Sequence, residues 1–148
     1  MKIALILALL FPLLLSGQSD IDTTNQRMVP MSQTYQKAYR IGNKYYEVGT
    51  TKPFTGILYG RYDNGQLQTL QEFKNGVGDG TWINYDPEGR KEIQGTYVDN
   101  RIEGPVTLFY ENGQVKAKGQ YRHWKQSIGW WTYYDLSGKV VQRMLYTP

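Results

Sequence analysis

A tract of about 24 residues recurs four times in this chain, and each copy opens with a glycine: Gly56, Gly80, Gly104 and Gly129. Three columns recur at fixed distances from these glycines: a large apolar side chain, a second glycine and an aromatic. In chain order the columns are Leu58, Trp82, Val106 and Trp131; Gly65, Gly89, Gly113 and Gly138; and Phe73, Tyr97, Tyr121 and Tyr146. A fixed period in the range of about 20–50 residues indicates a repeat array, so the fold must be built from stacked copies of one small unit.

Each copy has the sequence pattern of a β-hairpin. Turn residues stand in the middle of every copy, and Asn-Gly, as in Asn64-Gly65, supplies the positive φ angles that tight hairpins need. In the second copy we expect a first strand at residues 81–85. The second strand alternates between an apolar or small set and a polar set, which is typical of a strand with one buried face. These sets are Ile93, Gly95 and Tyr97 against Glu92, Gln94 and Thr96.

The stacking of such hairpins predicts an all-β fold, with tandem hairpin repeats forming an elongated antiparallel sheet. A single hairpin is marginally stable in water, whereas neighbouring hairpins bury a continuous face. Gly95 and Gly119 lie on the face predicted to be buried, so we expect a large aromatic ring from the adjacent strand to cover each of them. No stretch after residue 37 has helical periodicity with helix caps.

The residues before the repeats divide into three segments. Lys2, an apolar run at residues 3–15 and small residues up to Ser19 predict a secretory signal peptide at residues 1–19. Cleavage after Gly17 or Ser19 fits this pattern, and a weakly cleaved anchor is the alternative. The predicted location is therefore the periplasm, the cell envelope or the outside of the cell. Residues 20–37 are predicted to be a polar linker.

The predicted repeat domain covers residues 38–148. An opening hairpin at residues 38–55 is expected to turn at Gly42-Asn43, which is a signal for a two-residue turn. The four repeats then occupy residues 56–79, 80–103, 104–128 and 129–148.

Several chemistries lack the residues that they need. The chain has no cysteine, which excludes thiolate metal sites, thiol nucleophiles and disulfides. His123 is the one histidine and has no acidic or cysteine cluster near it in the sequence, and Ser127 lacks the third member of a catalytic triad. We therefore predict a protein that is not an enzyme, with no catalytic residues, cofactor or metal.

Two sequence patterns resemble a known family. Residues 80–104 resemble the bacterial variant of the MORN repeat through the pattern G-x-W-x-x-Y-x-x-x-G…G-x-Y-x-x-x-x-x-x-G. Residues 44–56 are similar to the opening of YwqK-type proteins, which carry an antitoxin label; their sequence is KYYEVGTTKPFTG. The resemblance covers about residues 38–148. It implies paired strands in an elongated antiparallel sheet and no catalytic residues. It also implies a role in protein contacts or in contacts with phospholipid membranes.

The charge of the chain lies near its C-terminal end. Residues 104–148 contain six basic residues and two acidic ones, whereas residues 18–103 contain ten basic and eleven acidic residues. Trp124 and Trp130 interrupt the repeat pattern in the same region, and a tryptophan among cations is typical of binding patches. The candidate binding patch is Lys116, Lys118, Arg122, His123, Trp124, Lys125, Trp130 and Arg143. The alternatives are a solvated surface or a terminal cap over the end of the core.

Two functions fit these observations. The first is an exported, non-enzymatic module for protein–protein interaction, for which the resemblance implies an antitoxin-like or immunity-like role. The second is binding to the envelope through anionic lipid headgroups or a cell-wall polymer. We expect a protein partner in the first case, and lipid or polymer in the second. Nucleic acid is not an expected partner because the chain is predicted to be exported and has no dense basic stripe.

Overall fold

The computed structural model describes residues 20–148, so the predicted signal peptide lies outside the described residues. Twelve strands and one short turn of 3₁₀ helix at Met31–Gln33 make up these residues. The strands are β1 (Met28–Pro30), β2 (Thr34–Ala38), β3 (Asn43–Glu47), β4 (Gly56–Arg61), β5 (Leu67–Lys74), β6 (Val77–Tyr85), β7 (Lys91–Val98), β8 (Arg101–Ile102), β9 (Gly104–Phe109), β10 (Val115–Arg122), β11 (Gln126–Tyr134) and β12 (Val140–Tyr146).

Ten of these strands form one sheet, which confirms the predicted all-β fold with an elongated, mainly antiparallel sheet. The strand order is β1-β4-β5-β6-β7-β9-β10-β11-β12, and the short β8 also pairs with β7. All pairs are antiparallel except β1 with β4. The strands β2 and β3 form a separate two-stranded sheet.

The four hairpins share one register pattern. In each hairpin the pairing shifts by one residue just before the turn. Between the first two hairpins the paired residues are Gln71 with Trp82 and Phe73 with Gly78, so residues 79–81 stand opposite Glu72 alone. Bulges of this kind increase the local twist of a sheet. The strand continues through this bulge, so β6 begins at Val77 and not at the predicted residue 81.

The hairpin turns differ in one respect from the prediction. Gly65 and Gly113 have φ angles of 85° and 82°, whereas Asn64 and Asn112 are not among the residues with positive φ. The asparagines stabilise the turn in another way, because the side-chain oxygen of Asn64 accepts a hydrogen bond of 3.0 Å from the backbone N–H of Gln66. Only the glycine therefore needs the left-handed conformation in these turns.

Neighbouring turns are connected in pairs. The hydroxyl of Tyr62 donates to the carbonyl of Tyr85, and the hydroxyl of Tyr110 donates to the carbonyl of Tyr134, both at 2.8 Å. The second and third turns are connected differently, by an ion pair of 4.0 Å between Arg90 and Glu111.

The two faces of the sheet are buried by different residues. We call the face with Leu58, Trp82, Val106 and Trp131 the front face, and the opposite face the back face; all four of these side chains are buried. A Cβ atom added to Gly95 or Gly119 would collide with the indole of Trp82 or Trp131, respectively. These contacts confirm the prediction that aromatic rings cover the two glycines.

Among the described residues, the apolar cluster of the back face lies at the N-terminal end of the array. There Ile21 packs with Ile57, Leu70 and Ile83, all of which are buried. Gln94, predicted to be on the outward polar side, is 2% exposed, and its side-chain oxygen accepts a hydrogen bond of 3.4 Å from the ammonium of Lys91.

The segment predicted to be a polar linker, residues 20–37, packs against the repeats. Ile21 contributes to the back-face core, and Val29 in β1 packs with Phe54, Leu58 and Phe73 on the front face. Only a few side chains of this segment are apolar, and their burial against two different faces anchors a segment that is polar overall.

The opening hairpin exists, but its bounds differ from the predicted ones. Its strands are β2 and β3, and residues 39–42 form a four-residue loop between them. Asn43 is therefore the first residue of a strand and not a turn residue. The hairpin lies against the turns between repeats, because the backbone N–H of Tyr45 donates to the carbonyl of Gly76 at 2.8 Å and the side chain of Asn100 donates to the carbonyl of Ile41 at 2.7 Å.

Candidate binding surface

The basic side chains in the two halves of the array differ in whether they form ion pairs. In the N-terminal half the ion pairs include Arg27 with Glu47, Arg40 with Asp99, Arg90 with Asp86, Lys91 with Asp20, and Arg101 with Glu103. In residues 104–148 none of the six basic side chains forms an ion pair within the part of the chain that the structure describes. The excess positive charge predicted for this end is therefore unpaired.

Three of the predicted patch residues share the back face of the C-terminal end. Lys118 pairs with Thr132 across β10 and β11, and Thr132 pairs with Arg143 across β11 and β12. Directly paired residues point to the same face, so both cations lie on one row. Trp130 lies on the same face, two residues before Thr132 in β11, and is 64% exposed. The adjacent Trp131 is on the front face and is 2% exposed.

We call Lys118, Trp130 and Arg143 the back-face cluster. Its two cations are separated by two strand spacings, or about 10 Å. The sequence predicted that Trp130 and Trp131 lie on opposite faces, and the structure confirms this.

The other predicted residues lie elsewhere. Lys116 is near the hairpin turn, where its ammonium is 5.7 Å from the ring centroid of Tyr110. Arg122 ends β10, and its Nε atom is buried without a hydrogen-bond partner. His123, Trp124 and Lys125 form the loop from β10 to β11, and all three have positive φ angles, which is unusual for residues with large side chains.

Trp124 belongs to a different surface from the back-face cluster. It lines a cavity of about 210 Å³ together with the front-face residues Phe73 and Tyr97, and with Tyr45 of the opening hairpin. Burial raises the pKa of Tyr97, and the nearby Tyr45 raises it further. The eight predicted residues are thus spread over the back face, the third hairpin turn and the region of the loop from β10 to β11, and the structure does not join them into one patch.

The sequence prediction missed the apolar side chains of the last strand. Val140, Val141, Met144 and Leu145 are all exposed, as is Leu136 in the preceding turn. The signal was present in the sequence, because β12 has apolar residues at both parities and not at alternate positions. Pro148 lies outside β12, which ends at Tyr146, so this proline does not interrupt the strand.

Other chemistry finds little support in the described residues. Within residues 20–148 no group of His, Asp and Glu side chains is placed to hold a metal ion. No helix among these residues has the length and hydropathy to span a membrane. What the back-face cluster offers is two unpaired cations beside an exposed indole, an arrangement that can bind acidic groups next to an apolar surface.

Three consecutive stretches, each containing one hairpin with its turn, have the spacing of a known repeat. They match the MORN repeat variant. The matched residues are 54–75, 78–99 and 102–123, so each match begins two residues before the predicted opening glycine. No curated protein and no solved structure matches the chain. The similarity to YwqK-type proteins and their antitoxin label stays a prediction.

The hairpin of β11 and β12 lies outside the matched MORN repeats, although it has the same one-residue register shift before its turn. Its turn also follows the pattern of the second repeat. The Ser137 hydroxyl and the backbone N–H groups of Lys139 and Ser137 donate to the side chain of Asp135, and these hydrogen bonds hold the pKa of this carboxyl below its ordinary value. The array therefore contains four hairpins of one design, of which the last has the most divergent surface.

Proposed function

We propose that this protein is a non-catalytic binding module whose partner is an acidic protein surface. The MORN repeats support a repeat-based binding module, and one observation supports the choice of surface. Lys118 and Arg143 lie unpaired on one row beside Trp130, the most exposed tryptophan of the described residues.

The charges of this cluster favour an anionic partner. At a separation of about 10 Å, near the Debye length of about 8 Å in physiological salt, Lys118 and Arg143 still repel each other weakly. A carboxylate placed between them attracts both. Trp130 adds a large apolar surface, and tryptophan and arginine are the residues that most often dominate binding energy at interfaces.

The same proposal includes the location and the biological setting. Lys2 and the apolar run at residues 3–15 support export, so the partner belongs in the periplasm, the envelope or outside the cell. An antitoxin-like or immunity-like role is one form of such binding, with an exported protein as the target. Nucleic acid is not a proposed partner.

A second candidate function is binding to anionic lipid headgroups or to an acidic wall polymer. The specific observation in its favour is again the exposed indole beside cations, because tryptophan suits the boundary between water and an apolar phase. Each basic residue near an anionic membrane contributes about 1 kcal/mol of attraction.

Pull-down of proteins from envelope extract with the purified protein tests the proposal, and vesicles with and without anionic lipid test the second candidate. We expect an acidic protein to be retained, with binding that weakens in high salt. Lys118→Glu should weaken binding about ten-fold without changing the melting temperature. Lys74→Glu is the matched control, because Lys74 is an exposed strand lysine in the N-terminal half without an ion pair in the described residues.

The outcomes separate the alternatives. Retention on anionic vesicles alone would select the lipid function and overturn the protein partner. If Lys118→Glu and Lys74→Glu bind equally well, the back-face cluster is only a solvated surface.

A further inference from the structure

The last strand leaves one edge of the large sheet open. Among residues 20–148, β12 is hydrogen-bonded only to β11, and it is seven residues long. Its other side therefore presents a row of backbone N–H and C=O groups that can pair with another strand. Natural proteins normally shorten, cover or interrupt such an edge.

The opposite edge of the same sheet shows the usual protection. It is formed by β1, which is three residues long and ends at Pro30, and a proline cannot donate a backbone hydrogen bond to a further strand. The next residues turn away into the 3₁₀ helix at Met31–Gln33. β12 is therefore the edge at which a further strand can pair with the sheet.

The exposed side chains of β12 favour contact with another protein segment over exposure to water. Arg143 and Leu145 point to the back face, where they pair with Thr132 and Trp130. Val141 lies two residues before Arg143, at the register shift beside the turn. Leu145 is 54% exposed, and Val141 is similarly exposed. An apolar edge that continues into the exposed indole of Trp130 is a typical interaction surface.

The charge at this edge decides which kind of strand fits. A second copy of the chain would bring two C-terminal ends together, each with six basic and two acidic residues, and Arg143 would meet Arg143 where β12 pairs symmetrically about its centre. Like charges directly opposite each other destabilise a strand pair, and opposite charges stabilise it. An acidic strand therefore fits this edge and a second copy does not.

We propose that β12 is a strand-addition site for an extended acidic segment of a partner protein. The partner places the pattern apolar–x–acidic–x–apolar on the back face, so that its carboxylate lies opposite Arg143 and its apolar side chains lie opposite Val141 and Leu145. This inference rests on the proposed function and adds the conformation and sequence pattern of the partner.

A synthetic peptide with the sequence Thr-Val-Thr-Glu-Thr-Val-Thr tests this proposal with the full-length protein. Two further versions carry backbone N-methyl groups, one at the odd positions and one at the even positions. The N–H groups of adjacent residues in a strand point to opposite sides, so those at odd positions lie along one edge and those at even positions along the other. We therefore expect one N-methylated version to lose at least about ten-fold in affinity and the other to bind nearly as well as the parent.

A charge exchange supplies the second measurement. We expect Arg143→Glu to weaken binding of the parent peptide about ten-fold and to improve binding of a peptide in which lysine replaces the glutamate. Lys74→Glu is again the control and should change neither affinity. Nuclear magnetic resonance should show slower amide exchange in β12 on binding, and unchanged exchange in β1.

Several results would overturn the proposal. Equal loss or equal retention of affinity in the two N-methylated versions would show that the peptide is held by charge without strand pairing, in which case the proposed function survives and the strand-addition site does not. Self-association through β12 in the absence of peptide would make a second copy the occupant. Failure of the parent peptide to bind at all, while an acidic protein is retained from the extract, would also refute strand addition.

Discussion

The N-terminal and C-terminal halves of the array use the same hairpin, yet their back faces differ completely. The first residue after the opening glycine shows this best: Ile57 is fully buried in the first repeat, whereas Trp130 is 64% exposed in the fourth. One position further, the front-face residues Leu58 and Trp131 are both buried. The repeat therefore determines the front face, while the back face depends on what lies outside the repeat.

The two faces differ in the origin of the residues that cover them. The repeats themselves bury the front face, whereas the N-terminal segment covers part of the back face. On the front face, Trp82 lies over Gly95 of its own repeat and Trp131 lies over Gly119 of the preceding repeat, so the repeats supply both the rings and the space for them. On the back face of the described residues, Ile21 of the N-terminal segment packs with Ile57, Leu70 and Ile83, which belong to the first two repeats. Repetition can thus build a core on one face and leave the other free to acquire a partner.

The largest expected effect tests whether the front face is equally important in both halves. We expect Trp82→Ala and Trp131→Ala each to lower the free energy of unfolding by about 3–5 kcal/mol, as large aromatic truncations in cores do. Because a domain of this kind is stable by only about 5–15 kcal/mol, both variants should melt far below the unmodified protein. Thermal and urea unfolding measure this. A Trp131 variant with nearly normal stability would mean that the C-terminal half has no core of its own.

A smaller effect tests the difference between the back faces. We expect Ile57→Ala to cost about 2–5 kcal/mol, because its side chain is buried under Ile21. The equivalent change in the fourth repeat, Trp130→Ala, should cost no more than about 0.5 kcal/mol because the indole is mostly exposed. Urea unfolding of the two variants side by side gives the comparison. Equal costs would refute the assignment of Trp130 to a free surface.

The smallest expected effect concerns pH and a pair of tyrosines in the C-terminal half. The hydroxyls of Tyr133 and Tyr146 share a hydrogen bond of 3.0 Å, and this bond, together with burial, raises the pKa of Tyr133 to about 12. The ordinary value in the unfolded chain is 10.0. The stability that this group contributes should therefore be complete below about pH 10 and lost as the pH rises from 10 towards 12.

Phenolate absorbance during an alkaline titration measures this directly. Tyr146→Phe should lower the pKa of Tyr133 towards its ordinary value, whereas Tyr39→Phe in the opening hairpin should leave it unchanged. If Tyr146→Phe does not move the titration of Tyr133, the hydrogen bond is not the main cause of the shift.

The features that were predicted correctly from the sequence are those that recur in the repeats. Four glycine-based turns, alternating second strands and rings above Gly95 and Gly119 all follow from columns that recur through the copies, because each column reports the same local environment several times. The exposed position of Trp130 opposite Trp131 was also predictable, since adjacent residues of a regular strand point to opposite faces.

Features that occur once were harder to predict. The docking of residues 20–37 depends on isolated side chains such as Ile21 and Val29 in a polar segment, and no local pattern shows which surface they will contact. Trp124 was placed in the patch because of its neighbours in sequence, whereas the left-handed loop at residues 123–125 turns it towards Tyr97. The open edge at β12 depends on what does not pair with it, which a sequence pattern cannot show.

The pairwise connection of the turns determines how such an array can be lengthened. Tyr62 and Tyr110 each reach into the following turn, which begins with an aspartate, and the order of the four turns is Tyr, Asp, Tyr, Asp. Inserting one repeat would place two turns of the same kind side by side and break this alternation, whereas inserting two repeats would keep it. The smallest insertion that preserves the order of the turns is therefore a pair of hairpins.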